Sequence, residues 1–508
     1  MIVGAGPTGL ALGLWLTKLG VHVRIIDRSA EPGTTSRALA VQVRTLEFYR
    51  QIGLADAVIA GGVKIAGANF WVRGSKTARI PFQRIGRGLS PYDFVLVFPQ
   101  DAHERLLIER LKTMGVHVEH ETELLHFREH AAGVRATLRH SNGAEELCDA
   151  AYLAGCDGAS STVRELLGVG FPGGTYTGLF YVADVEAAGP ATDHELHIDI
   201  EAADFVLVFP LKGRNRVRLV GTVLRPPTDE RPLGFEDVRG RAIAHLGLEV
   251  LKVNWFSTYH VHHRVASRFR DGRTFLLGDA AHIHSPVGGQ GMNTGIADAV
   301  NLAWKLAAVL KGNAAGALLD TYEPERIAFA RRLVATTDRV FTIVTKQGPV
   351  AGFVRTRVVP RLAPLLFLVP PVRRFVFRTV SQIGINYRTS SLSAGGAGGV
   401  RGGDRLPWVR IAAEKDNFEP LTSLRWQVHV YGRHEPRLSE ACARIRLSLH
   451  VFEWQPAMRA AGLRFGTLYL IRPDGYVALI DSHADPERLT QYFAERGLTQ
   501  LSADESPV

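Results

Sequence analysis

The chain has 508 residues, 46% of them hydrophobic, with 60 Lys and Arg against 50 Asp and Glu and a formal net charge of +10. At about 100–200 residues per domain the length predicts three or so domains, and the composition excludes wholesale disorder and a fibrous fold. Cys148, Cys156 and Cys442, none in a CxxC pair, exclude a disulfide framework and point to a reducing, cytoplasmic compartment. No basic n-region followed by an apolar h-region opens the chain, and Arg or Pro breaks every apolar stretch before about 18 residues. Neither a secretory signal nor a membrane-spanning helix is expected. Between Tyr322 and Arg388 eleven Arg and Lys346 face only Glu323, Glu325 and Asp338, so one segment holds nearly all the excess charge. A basic groove along the whole molecule, and with it nucleic acid as a partner, is excluded.

Met1-Ile2-Val3 leads into Gly4-Ala5-Gly6-Pro7-Thr8-Gly9, a GxGxxG. A helical run with Leu10 and Leu14 follows, closed by Gly20, and Val21–Ile26 alternates like a strand that ends in Asp27. Within such a βαβ unit Gly4 permits the tight turn, Gly6 lets backbone approach a pyrophosphate, and Gly9 lets helix and strand pack closely. The helix N-terminus offers N–H groups to phosphates. Asp27 stands where a carboxylate binds ribose hydroxyls and disfavours a 2′-phosphate.

Further on, residues 151–164 read as a short strand running into Cys156-Asp157-Gly158 and a helix. Arg273–Asp279 is an apolar strand suited to a parallel sheet, and Gly288, Gly289 and Gly291 form a loop where backbone approaches something flat or anionic. A long helix follows Asn293, with Ile296, Ala299, Ala303, Leu306 and Leu310 on one face. Asp279, at a strand end, is placed to bind a ribityl or ribose hydroxyl.

These three segments, in this order, resemble the class A single-component flavin monooxygenases, the para-hydroxybenzoate and phenol hydroxylase group. The resemblance implies an α/β fold: a Rossmann-like FAD-binding domain of the glutathione-reductase type, an antiparallel β-sheet substrate domain, and a C-terminal thioredoxin-like α/β domain. FAD contacts are implied for Gly4, Gly6, Pro7, Thr8, Gly9, Asp27, Arg28, Arg37 (in Ser36-Arg37-Ala38) and Gln100 (beside Glu104). They are implied too for Asp157, Gly158 and Arg164, and for Gly278, Asp279, Pro286, Gly289, Gly291, Met292 and Asn293. Arg37 and Pro286 are the residues expected to tune the flavin.

The expected FAD-binding domain covers 1–170 and 273–345, and residues 62–98 are expected to add strands to the substrate sheet at 171–272. There 204–210 and 216–220 read as a hairpin, and Tyr181, Phe205 and Phe209 are candidates to face substrate. His260, His262, His263, His282 and His284 cluster, but no carboxylate or thiolate completes a set at nearby spacing, so no metal is expected. Residues 346–390 form an Arg-rich helical segment, read as a linker packed on the FAD domain, a homodimer surface or a membrane-surface element. Pro360, Pro364, Pro370 and Pro371 break any long amphipathic helix and weigh against membrane contact. Residues 391–403, with six glycines, read as a flexible linker. From 404 to 508 the pattern gives a strand at Val428–Tyr431, a hairpin around Pro473-Asp474-Gly475, and a last helix capped by Asp485. The turn Gly432–Pro436 lacks both cysteines of a thioredoxin, which excludes dithiol chemistry.

The activity that the resemblance implies is hydroxylation of a small phenolic or polycyclic aromatic substrate. NADPH or NADH reduces FAD, O2 forms a flavin C4a-hydroperoxide, and one oxygen is transferred to the ring. Baeyer–Villiger insertion, epoxidation and a non-catalytic FAD-binding role are the rivals. The WxWxIP signature of flavin halogenases is absent.

Overall fold

The computed structural model describes residues 1–33, 38–83, 85–200, 205–223, 233–285, 287–345 and 348–499. Ile2–Val3, Ile25–Ile26, Val118–Glu119, Leu153–Gly155 and Thr274–Leu276 form a parallel sheet, with Arg270–Asp271 antiparallel at one edge. The first strand has two residues yet lies inside the sheet, Ile2 pairing with Ile25 on one side and Ala154 on the other. Helix Pro7–Lys18 returns across the sheet and ends as expected: Gly20 at φ +72° lets the Val21 N–H reach the Leu16 carbonyl. A three-stranded antiparallel layer (Glu123–His130, Gly133–Arg139, Glu145–Ala150) was not foreseen.

The second large sheet has eight strands. Its spatial order is His282–Ile283, Glu249–Val265, Gly173–Ala188, Arg216–Val223, Phe205–Pro210, Leu196–Ile200, Gly67–Val72 and Ser75–Pro81. The hairpin is present, with Phe209 opposite Arg218. Of the 62–98 region, the strands at 67–81 join this sheet, whereas Val95–Val97 pairs separately, with Ala40–Val41 on one side and Val63–Ile65 on the other.

Helix Gly291–Leu310 is buried on all sides from Asn293 to Ala307, not along one stripe. Helix Pro7–Lys18 packs on one flank, and Trp304 joins the core of the C-terminal unit on the other. Helix Tyr322–Thr345 leads to the Arg-rich segment, where Val359–Leu368 and Pro370–Val380 are separate helices broken at Val369, ahead of two prolines.

Residues 391–403 correct the expectation of a flexible linker. Gly396–Ala397 and Val400–Arg401 form a small hairpin, and Ala394 bonds Ala478 and Ile480 on the C-terminal sheet. Gly395 sits at φ +75°, where a Cβ would overlap the Ile480 carbonyl. These glycines serve close approach and left-handed backbone, not freedom. In the last unit Gln427–Tyr431 runs parallel to Ser448–Phe452 and antiparallel to Leu468–Ile471, which hairpins with Val477–Asp481. Helix Pro486–Glu495 starts at Asp485, whose carboxylate accepts from the Glu487 N–H at 2.9 Å.

Candidate functional site

The glycine turn divides its labour. Gly4 sits at φ +102°, against the Cys156 carbonyl, and a Cβ on Gly9 would overlap the Gly4 carbonyl, so both glycines serve backbone packing. Gly6 has nothing within 4 Å of a Cβ position. It faces open space in front of helix Pro7–Lys18, whose first turn has no side-chain cap and no acidic residue. Uncapped N–H groups at a positive helix end form a cradle for an anion. Pro7 is the first helical residue, where its missing N–H costs nothing. Asp27 accepts from the Ala5 N–H (2.7 Å) and the Ser29 N–H (2.8 Å), which aims the carboxylate beside the turn. Arg28 is exposed and lines a shallow cleft with Glu121, Glu123, Arg139, His140 and Ser141.

Thr8 locks this turn to the distant glycine motif. A Cβ on Gly278 would stand 2.5 Å from Thr8 Oγ1, and one on Gly295 would overlap the same hydroxyl. The Gly278 N–H donates to buried Asp298 (3.0 Å), which also accepts from His282 Nε2 (2.7 Å) and Arg326 Nε (2.5 Å). Burial opposes the Asp298 charge, but Arg326 and His282 hold its carboxyl below the usual carboxylate range. Asp279, next to this anchored turn, is exposed.

The second motif is built into the same corner. Asp157 accepts from Ser161 Oγ (2.6 Å) and the Val163 N–H (3.0 Å), holding the start of helix Thr162–Leu166, and burial pushes its carboxyl up. Gly158 follows at φ +80°. Arg164 donates to the Ala159 carbonyl (2.8 Å) and the Ala280 carbonyl (3.0 Å), and stacks on Phe171. Its observed contacts therefore tie motif to motif.

Gln100 opens helix Gln100–Thr113; its Nε2 donates to Glu104 Oε1 at 2.8 Å. Glu104 is 4% exposed, and burial pushes its carboxyl up to about 7. In the sequence Glu104 stands out only as a neighbour of Gln100, because burial has no local signature.

At the glycine loop, Gly288 and Gly289 take φ +75° and +62°. The Asn293 side chain accepts from the Gln42 N–H and Thr45 Oγ1 and donates to the Ala40 and Gly289 carbonyls. All four bonds go to protein, so this side chain pins the loop against residues 40–45. Gly291 begins helix Gly291–Leu310, again with no side-chain cap, and Met292 is half-buried on the core. Arg37 and Pro286 lie outside the described residues.

The eight-stranded sheet presents two unlike faces. Val206, Val208 and Leu219 point to a core closed by Phe235, Ile243 and Leu246. Phe205 and Phe209 alternate onto the other face and stay half-buried. Tyr181 belongs to the closed core, 2% exposed and stacked on Phe256. This corrects the grouping of Tyr181 with Phe205 and Phe209. Its neighbour Phe180 shares their face, with ring centroids 6.2 Å from Phe205 and 6.0 Å from Tyr259. Near Phe209 this face meets Leu39, which precedes Ala40, and Ala40 lies against Gly289.

Buried ion networks bind the C-terminal unit to this framework. Arg472 donates to both oxygens of Glu325 (2.8 and 3.0 Å) and both of Asp474 (3.0 and 2.6 Å). Lys305 Nζ reaches the same Glu325 at 2.9 Å, and burial pushes its ammonium down to about 8. Glu47 takes Arg44 (2.9 Å), Arg405 and Ser90 (2.6 Å) in a second cluster.

The residues present fit a dinucleotide: an open glycine turn at an uncapped helix start, a carboxylate beside it, and a second glycine loop at another uncapped helix start. Comparison with known proteins agrees. The family model described as "FAD binding domain" matches residues 1–337. The chain is 36% identical to 6-methylpretetramide 4-monooxygenase of Streptomyces rimosus, across 100% of this chain and 94% of that protein. It is 32% identical to dialkyldecalin synthase of Streptomyces rugosporus, across 94% and 95%. Among solved structures it is similar to the OxyS anhydrotetracycline hydroxylase of Streptomyces rimosus, with a TM-score of 0.78 and 30% identity over 98% of this chain and 99% of that one. The chain belongs to the FAD-binding-domain family, among the flavoprotein monooxygenases.

Proposed function

We propose that the chain is an FAD- and NAD(P)H-dependent monooxygenase that hydroxylates a phenolic, polycyclic aromatic substrate. The observation that carries this reading is the aromatic face on which Phe205, Phe209 and Tyr259 are half-buried around the buried Phe180, and which meets the glycine loop through Leu39 and Ala40. Flat aromatic walls beside a flavin loop suit a flat aromatic ligand. When bound, reduced FAD activates O2 for transfer of one oxygen atom.

This chain's residues bind and orient. Gly6 and the first-turn N–H groups of helix Pro7–Lys18 hold the pyrophosphate, with Pro7, Thr8 and Gly9 shaping that turn. Asp27 takes ribose hydroxyls at the adenosine end, near Arg28. Gln100 and Asp279 hold the ribityl chain, and the Gly289–Asn293 loop receives the ring. Arg37 and Pro286 remain the proposed tuning residues. Asp157, Gly158 and Arg164 keep Gly278–Ala280 in register. The aromatic face excludes water and fixes the substrate carbon at the reacting position. We read the C-terminal unit as a thioredoxin-like domain with a structural role, on its parallel pair flanked by antiparallel strands. Three free thiols fit a cytoplasmic enzyme.

The relative that bears the name dialkyldecalin synthase motivates one rival: a flavoprotein of this fold that closes a ring without adding oxygen. A panel of phenols and polycyclic aromatics, offered with NADPH and with NADH, separates the two. At least one compound should accelerate flavin reduction and yield a product heavier by one oxygen. No such product from any compound sinks the hydroxylase reading, and an isomerised product without oxygen supports the rival.

A further inference from the structure

Along strand Glu249–Val265 the residues Tyr259, Val261 and His263 alternate onto one side, and this is the side of the half-buried aromatics. Phe180 packs on Val261, and Tyr176 lies 4.8 Å from the His263 ring, centroid to centroid. The strand ends in the pairs Arg264–Ile283 and Val265–His282, so His263 and His284 are the residues that flank the end of this pairing. His284 and Ser285 then lead to the glycine loop.

Several polar atoms here are buried without a partner: His263 Nδ1, His284 Nε2 and Ser285 Oγ. Ser285 is only 1% exposed. An unsatisfied buried polar atom is costly, so several of them beside the aromatic face mark a place that a ligand completes. The tautomer of His284 follows from its neighbour. Nδ1 lies 2.8 Å from the Ser285 carbonyl, which only accepts, so Nδ1 carries the proton and Nε2 is a bare acceptor. Burial pushes the imidazole down to about 4, which keeps it neutral near pH 7. The Nε2 edge stands 3.8 Å from where a Cβ on Gly291 would sit, and Gly291 has no side chain to fill that space. Among the described residues no three His, Cys, Asp or Glu side chains gather as a metal set.

We propose that His284, with Ser285 and His263, forms the hydroxyl-recognising end of the aromatic face: His284 Nε2 accepts a hydrogen bond from a phenolic hydroxyl of the substrate. The inference rests on the aromatic-hydroxylase reading and deepens it, by requiring a free hydroxyl donor on the ring system. A ligand whose oxygens are all methylated fills the aromatic walls but leaves Nε2 and Ser285 Oγ unpaired.

The test uses FAD-loaded protein and two probes of one skeleton, alizarin and its dimethyl ether, with binding read from the perturbation of flavin absorbance. Wild type should prefer alizarin by about tenfold or more, the factor that one unpaired buried group implies. His284→Phe should bring the two affinities within about twofold, while His284→Gln, which keeps an acceptor oxygen, should retain most of the preference. Ser285→Ala should weaken alizarin more than the ether. Equal affinities in wild type, or a preference that survives His284→Phe, overturn the proposal. Products that gain oxygen in the substrate panel, alongside an unchanged preference in His284→Phe, leave the hydroxylase reading standing and remove only this inference.

Discussion

Glu104 makes the protein's stability depend on pH in the direction opposite to an ordinary ion-paired carboxylate. It is 4% exposed, and burial is the largest influence on it; the Gln100 and Gly33 bonds only partly offset burial, and nearby Asp101 and Asp27 add a smaller repulsion. Its folded carboxyl sits at about 7 against an ordinary value of 4.5. Between these values the folded state holds more protons than the unfolded state, so stability falls as pH rises from about 4.5 to 7, and the full cost remains above that. At 1.36 kcal/mol per unit, the cost near pH 8 is about 3 kcal/mol. Glu104→Gln keeps the bond from Gln100 and removes the charge. With an unfolding entropy of about 2.1 cal/mol/K per residue over roughly 340 residues, 3 kcal/mol corresponds to about 4 °C in Tm. FAD-free wild type and variant should therefore melt together near pH 5, with the variant about 4 °C higher near pH 8, in calorimetric scans of the FAD-domain transition. A Tm difference that is constant from pH 5 to 8, or a variant that melts lower at pH 8, refutes the reasoning.

Two further perturbations test the framework around the site. Arg472→Met leaves Glu325 and Asp474 buried with one cation fewer, and should cost about 3–5 kcal/mol in urea denaturation, separating the C-terminal transition from the main one; a change under about 1 kcal/mol would show that the network does not couple the units. Gly295→Ala drives a methyl into Thr8 Oγ1 and should cost about 1–3 kcal/mol and weaken FAD binding, measured by fluorescence titration of the FAD-free protein, whereas adding Thr8→Ala should recover part of both; a double variant no better than the single one would place the strain elsewhere.

Much of the cofactor framework was legible because it is local. The spacing of Gly4, Gly6 and Gly9 ahead of a helix is dictated by backbone geometry within a few residues, and so are the Gly20 stop, the Asp485 cap and the hairpin at 468–481. The side of a strand on which a residue falls was less accessible. Strand Gly173–Ala188 shifts register between Thr175 and Leu179 and again at Asp184/Val185, so alternation does not carry along it, and a slip of one residue exchanges Phe180 for Tyr181.

By itself the sequence determined the glycine turns, the helix stops and caps and the C-terminal hairpin, since propensity, capping and φ > 0 requirements act over short stretches, and three ordered motifs were enough to point to the family. Tertiary structure alone decided what those residues meet. Gly6 faces open space while Gly9 is pressed on Gly4; the glycines of 391–403 are held tight because the Ile480 carbonyl lies against Gly395. Asn293 spends its amide on residues 40–45, and Glu325 finds Arg472 far along the chain. The chemistry of a buried group is set by burial and by partners brought in from distant segments, and neither is written in its neighbours.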